Sequence, residues 1–170
     1  MRHPELHWGG TPAERTSAGI MEHAIAHLCD SAAIVDPRTE PLSLVDARTN
    51  LDGSPGTRVP HLWLERDGHR LSTVELTAGP FTLLAGRDGD VWARAARAAG
   101  RETGIPVTAV TLGSDPELRV AEGRWEHAAG ITEMGALLVR PDGQVARRCA
   151  GVASDHERRM EWVLRRILDR

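Results

Sequence analysis

By residue type and neighbourhood, His61 is the side chain best suited to chemistry. It lies in Arg58-Val59-Pro60-His61-Leu62-Trp63, with a guanidinium three positions before it and an indole two after. An imidazole changes charge near neutral pH, so His61 is a candidate general acid–base group. Arg58, close by, and a carboxylate such as Asp88 or Asp90 are the candidate groups to work with it. The competing account is a histidine of purely structural use. His23 and His27 are four apart and would share a helix face, with Glu22, Cys29 and Asp30 nearby, and His3 and His7 repeat the spacing. A metal needs a third ligand at fixed geometry, which this spacing does not supply, so no metal is expected and a polar or subunit-facing helix surface is. The other thiol, Cys149, is far from Cys29 in the chain, and both are expected to be reduced.

Two regions must position these groups. Residues 1–50 read as an N-terminal helix and an extended connector, and residues 51–170 as a compact domain. Thr11-Pro12-Ala13-Glu14 is a helix start with a cap, a proline at the first turn and a capping-box carboxylate. Ile20, Met21, Ala24 and Leu28 follow at helical spacing, so this stripe needs an apolar partner surface. From Asp30 to Pro55 the chain is rich in Pro, Asp, Ser and Thr, and reads as a connector lying along another surface.

Beyond it, Val59–Glu65 and Arg70–Val74 are predicted to form a hairpin turned by Asp67-Gly68. Phe81–Ala85 is a short apolar run suited to a central strand. Asp90 is placed to cap an alanine-rich helix over Trp92–Glu102, which Gly104 and Pro106 end before a strand at Val107–Leu112. Such a strand-helix-strand unit crosses over right-handed and pairs in parallel. Gly113–Glu133 reads as irregular, anchored by Trp125. A second hairpin flanks Pro141-Asp142-Gly143, and Ser154 and Glu157 read as the capping box of a last helix with Met160, Val163, Leu164, Ile167 and Leu168 on one face. The layout is α/β, a thioredoxin-like sheet with flanking helices.

In a thioredoxin, two cysteines would stand where Phe81–Ala85 meets the next helix, because the helix start lowers a thiol pKa. Here that place reads Arg87-Asp88-Gly89-Asp90, without sulfur, which excludes disulfide exchange. The net charge of -3 offers no basic footprint for nucleic acid. The basic residues are all arginine, and those of the C-terminal third interleave with Asp155, Glu157, Glu161 and Asp169 as a salt-bridged face. No run suits a membrane span and the N-terminus lacks an apolar signal core, so the expectation is a cytoplasmic protein. Of five tryptophans, Trp63, Trp92 and Trp125 are expected in the core, and Trp8 and Trp162 as interface anchors.

Several stretches, in order, resemble the C-terminal domain of the FAD-dependent aromatic-ring hydroxylases, the phenol-hydroxylase-like monooxygenases that tailor aromatic polyketides. They are Asp52-Gly53-Ser54-Pro55-Gly56-Thr57-Arg58-Val59-Pro60-His61-Leu62-Trp63-Leu64, Leu71-Ser72-Thr73, Phe81-Thr82-Leu83-Leu84-Ala85-Gly86 and Gly135-Ala136-Leu137-Leu138-Val139-Arg140-Pro141-Asp142-Gly143. The resemblance implies a thioredoxin-like fold without thioredoxin chemistry, used for structure and subunit contact. It also favours a structural His61. The flavin machinery of that family lies in preceding domains, and no G-x-G-x-x-G follows a strand near the start of this sequence, so no cofactor is expected. Two departures remove aromatic packing: Ala146-Arg147-Arg148 stands where the family usually has an aromatic, and Ala129-Gly130 where it usually has Tyr-Gly.

The resulting expectation is a stand-alone, non-flavin accessory or interaction protein in aromatic polyketide tailoring. It would self-associate or dock on a flavin monooxygenase through Trp8, Ile20, Met21, Ala24, Leu28 and Trp162. The alternative is a cofactor-free cyclase, hydrolase or isomerase that takes an aromatic polyketide, with His61, Arg58 and Asp88 or Asp90 as its working groups.

Overall fold

The structure is a computed structural model that describes Ser31, residues 33–36 and residues 52–168. The expected N-terminal helix, its stripe, Trp8, Cys29 and the histidines at positions 3, 7, 23 and 27 lie outside the described residues.

Strand β1 (Trp63–Arg66) and strand β2 (His69–Ser72) pair antiparallel around Asp67 and Gly68, at φ 52° and 76°. Two successive left-handed residues match the right-handed twist of a hairpin. β1 begins later than the sequence suggests. Thr73 binds the preceding segment instead, its hydroxyl donating to the Pro60 carbonyl at 2.6 Å and accepting from the Leu62 N–H at 3.0 Å. β2 also ends early, because Ser72 and Glu75 close a capping box that opens helix α1 (Thr73–Leu76).

Strand β3 (Phe81–Ala85), helix α2 (Asp90–Thr103) and strand β4 (Val107–Thr111) form the expected unit, with β3 and β4 parallel. The helix ends at Gly104 in the left-handed region. Its N-cap is Gly89, not Asp90, whose carboxylate instead accepts from the Thr111 hydroxyl at 2.7 Å. Gly113–Glu133 is more regular than expected. It contains strand β5 (Leu118–Val120), which pairs with β1, and helix α3 (Trp125–Ala129). Strands β6 (Ala136–Val139) and β7 (Val145–Cys149) make the second hairpin, and helix α4 (His156–Ile167) closes the unit. The N-cap of α4 is Asp155, with no side-chain cap bond, because its carboxylate pairs with Arg159 at 2.5 Å. The expected Ser154–Glu157 box is therefore absent.

The strand orders are β2-β1-β5 and β4-β3-β6-β7. Alternation along β3 and β6 builds two cores. Leu83, Ala85, Ala136 and Leu138 face α2 and α4, where Ala93, Ala95, Ala96 and Ala99 meet Met160, Val163 and Leu164. Leu84, Leu137 and Val139 face the smaller sheet, with Leu64, Leu118 and Trp125. The outer edge of β7 is covered by its own chain: Gly56 N–H donates to the Val145 carbonyl and Val35 N–H to that of Ala146, each at 2.8 Å. Covering an edge removes a template for unwanted pairing.

Candidate functional site

The carboxyl end of β3, where a thioredoxin keeps its sulfur pair, is closed by a neighbouring loop. Gly86 N–H donates to the Gly135 carbonyl and Asp88 N–H to that of Glu133, both at 2.9 Å. A Cβ on Gly86 would stand 2.5 Å from the Glu133 carbonyl oxygen, and one on Gly89 2.8 Å from that of Gly135. These glycines make room for the chain itself, not for a ligand. A dinucleotide phosphate needs free N–H groups at such a turn. Here backbone oxygens fill the space, and Trp92 N–H turns back to Gly89 at 2.9 Å. The described residues therefore do not fit the pyrophosphate of a flavin at this turn.

The rim is ionic. Arg87 pairs with Glu133, Arg124 reaches the same carboxylate at 3.5 Å, and Arg87 N–H donates to Glu126 at 3.3 Å. Beside them Met134 is 46% exposed, a large apolar side chain on the loop that closes the turn. Methionine is over-used on binding surfaces because it repacks easily.

The four candidate catalytic residues do not share one place. Asp88 and Asp90 are exposed just beyond Ala85, which pairs with Ala136 at the start of β6. Arg58 bridges Gln144, beyond Val139 at the other end of β6. His61 is exposed and packs edge-on against Trp63 with ring centres 4.9 Å apart. Glu75 lies close enough to feel the imidazole. Its carboxyl is held below the usual range chiefly by the Ser72 N–H, then by the Ser72 hydroxyl, with His61 adding a smaller pull.

Cys149 is half-buried, and burial pushes its thiol up to about 11 despite the opposing Arg147 charge. A thiol is a nucleophile only as the thiolate, so Cys149 stays inert near neutrality. Among the described residues no three His, Cys, Asp or Glu side chains are grouped to hold a metal ion, and no helix is long and apolar enough to cross a membrane.

The two departures from the hydroxylase pattern meet in space. Arg148 Nη1 donates to the Asp52 carbonyl at 3.1 Å and lies over Gly130, while a Cβ on Gly53 would drive into the Ala129 carbonyl. Asp52-Gly53, Ala129-Gly130 and Arg148 thus form one latch between the connector and the sheet. Neither this convergence nor the exposure of Met134 carries a local sequence signal. Trp162, by contrast, was legible as off the apolar stripe, and it is 54% exposed.

A mixed α/β unit with a four-stranded sheet between two helices and a smaller sheet, and with a sulfur-free β3–α2 turn, is a thioredoxin-like domain without thioredoxin chemistry. The model of the family "Aromatic-ring hydroxylase, C-terminal" matches residues 52–170, and the chain belongs to that family. Aklavinone 12-hydroxylase RdmE of Streptomyces purpurascens is 41% identical over 157 residues, which cover 91% of this chain and 28% of that protein. The tetracenomycin B2 monooxygenase-dioxygenase of Streptomyces olivaceus is 49% identical over 120 residues, covering 71% of this chain and 22% of that protein. A crystal structure of aklavinone-11 hydroxylase with FAD and aklavinone superposes with a TM-score of 0.81 at 40% identity, covering 91% of this chain and 28% of that one. The chain thus spans about a quarter of the length of these relatives.

Proposed function

We propose that this chain is a non-flavin interaction module that serves cytoplasmic aromatic polyketide tailoring by docking on a flavin monooxygenase or pairing with a second copy. The observation that carries this reading is the closed β3–α2 turn. The place where the fold would put a reactive group is filled by the Glu133 and Gly135 carbonyls, and the same loop presents Met134 to solvent. A charged rim around one exposed apolar side chain suits recognition, since a few anchors carry most of the energy of an interface. The inert Cys149 and the separation of Arg58 from Asp88 and Asp90 support the same reading. Polyketide tailoring enters through the relatives, which are hydroxylases and monooxygenases by name.

The test measures association of the purified chain with itself, by light scattering, and with an aromatic polyketide flavin monooxygenase from the same organism, by biolayer interferometry. A complex or dimer is expected, weakened about tenfold or more by Met134→Glu. A chain that stays monomeric at high concentration and binds no such monooxygenase overturns the proposal. So does a yellow preparation carrying stoichiometric flavin on the chain.

A further inference from the structure

The four-stranded sheet has its β7 edge covered by its own chain, and among the described residues the opposite edge, β4, pairs with no further strand. β4 meets β3 in the register Thr82↔Thr108 and Leu84↔Val110, and Leu112 N–H continues that ladder to the Ala85 carbonyl at 2.9 Å. Backbone groups alternate in direction along a strand, so those of Val107, Ala109 and Thr111 point away from β3. Unpaired edge groups of this kind are a template for another strand. The sequence Val107-Thr108-Ala109-Val110-Thr111 suits that use, with no charge, no proline and a β-branched residue everywhere but Ala109.

Among the described residues, the hydrogen bond that reaches these outward groups comes from a charged side chain. Arg97, exposed on α2, donates from Nη2 to the Ala109 carbonyl at 2.6 Å, at the middle of the strand. No carboxylate among the described residues pairs with its guanidinium, so the edge carries a whole positive charge. We propose that the outer edge of β4 is a pairing site for the same strand of a second copy, and that Arg97 is the guard that keeps it shut.

An antiparallel register centred on Ala109 gives every outward group a partner. Val107 would exchange its N–H and C=O bonds with the partner's Thr111, and Ala109 with the partner's Ala109. A two-fold interface requires such self-complementarity, which is the reason for choosing a second copy over an unrelated strand. The same register defines the block. The partner's Ala109 N–H has to reach the carbonyl that Arg97 occupies, and the two-fold axis brings both guanidiniums to that point. Like charges forced together at an interface oppose association strongly. A charged side chain on an open edge is a common protection against unwanted pairing. The inference does not rest on the docking role proposed above, which uses the loop that carries Met134 and not the β4 edge.

Sedimentation equilibrium and hydrogen–deuterium exchange on the full chain test it, with Met134→Glu in every sample to remove the contact proposed at that residue. Arg97→Ala puts the strongest helix former at an exposed position of α2, so the fold is kept. It should tighten self-association about tenfold or more over Met134→Glu alone. As the dimer forms, the amides of Val107, Ala109 and Thr111 should exchange more slowly. Adding Thr108→Lys, a new charge at an exposed position of the same edge, should return association to the level of Met134→Glu alone. Self-association unchanged by Arg97→Ala refutes the proposal. An Arg97→Ala dimer in which those amides gain no protection, or which Thr108→Lys leaves intact, refutes it equally, since the contact then lies elsewhere. Either refutation leaves the Met134 reading standing, because that contact is absent from every sample.

Discussion

Replacing Gly86 with alanine adds one methyl group where the structure has no room for it. The new Cβ would lie 2.5 Å from the Glu133 carbonyl oxygen and 3.0 Å from both the Glu133 carbonyl carbon and the Thr132 carbonyl oxygen. To restore ordinary contact the backbone of residues 132–133 would have to retreat by most of an ångström. That loop is tied to the turn by Gly86 N–H on Gly135 and Asp88 N–H on Glu133, so both bonds stretch with it. Overpacking of this kind costs about 1–3 kcal/mol. Each weakened hydrogen bond adds up to about 1 kcal/mol, so the expected loss is roughly 2–4 kcal/mol. The assay is equilibrium urea unfolding of Gly86→Ala against wild type. Gly68→Ala is the control, because a Cβ there meets nothing within 4 Å and pays only for its φ of 76°, about 1 kcal/mol. A Gly86→Ala variant within about 0.5 kcal/mol of wild type would mean that the turn is not sealed by the loop, and the argument against a ligand there would fall.

Other consequences follow from named groups. The chain has no lysine and no tyrosine, so between pH 9 and 11 its two cysteines are the side chains expected to titrate. With its folded value raised to about 11 against an ordinary 9.0, Cys149 contributes stability that is whole below pH 9 and lost as the pH climbs through 11. Alkaline unfolding curves should show that loss, and Cys149→Ala should flatten it. Iodoacetamide should label Cys149 slowly at neutral pH, and rapid labelling would contradict the burial. Glu75 behaves in the opposite sense. Its folded value is lowered by Ser72, so its contribution is present above the ordinary 4.5 and lost as pH falls through the folded one. Glu75→Gln should reduce the acid sensitivity of the domain in a pH series of melting temperatures. Arg148→Met should free the Asp52 carbonyl and loosen the latch, costing about 1–2 kcal/mol by denaturant unfolding. It should also raise amide exchange around Gly53 and Gly130, and unchanged exchange there would show that the latch does not hold the connector.

Features written in neighbouring residues were legible in the sequence. The Asp67-Gly68 and Pro141-Asp142-Gly143 turns, the two-sided burial of Phe81–Ala85, the alanine face of α2 and the apolar stripe of α4 all depend on local periodicity and turn chemistry. So did the absence of sulfur at the β3–α2 turn and the resemblance to the hydroxylase domain. The caps were less legible, since Asp90 and Ser154 have the right chemistry but Gly89 and Asp155 have the backbone position. β5 escaped notice because three residues carry no period of their own and become a strand only through pairing with β1, more than fifty positions away. Tertiary structure alone decided that Arg58 and the pair Asp88 and Asp90 flank opposite ends of β6, that the Glu133 and Gly135 carbonyls fill the β3–α2 turn, and that Arg148 meets Asp52. The physical reason is range: turns and amphipathic faces are set by side chains within a few positions, whereas a site is set by which distant segments the packed sheet brings to the same end.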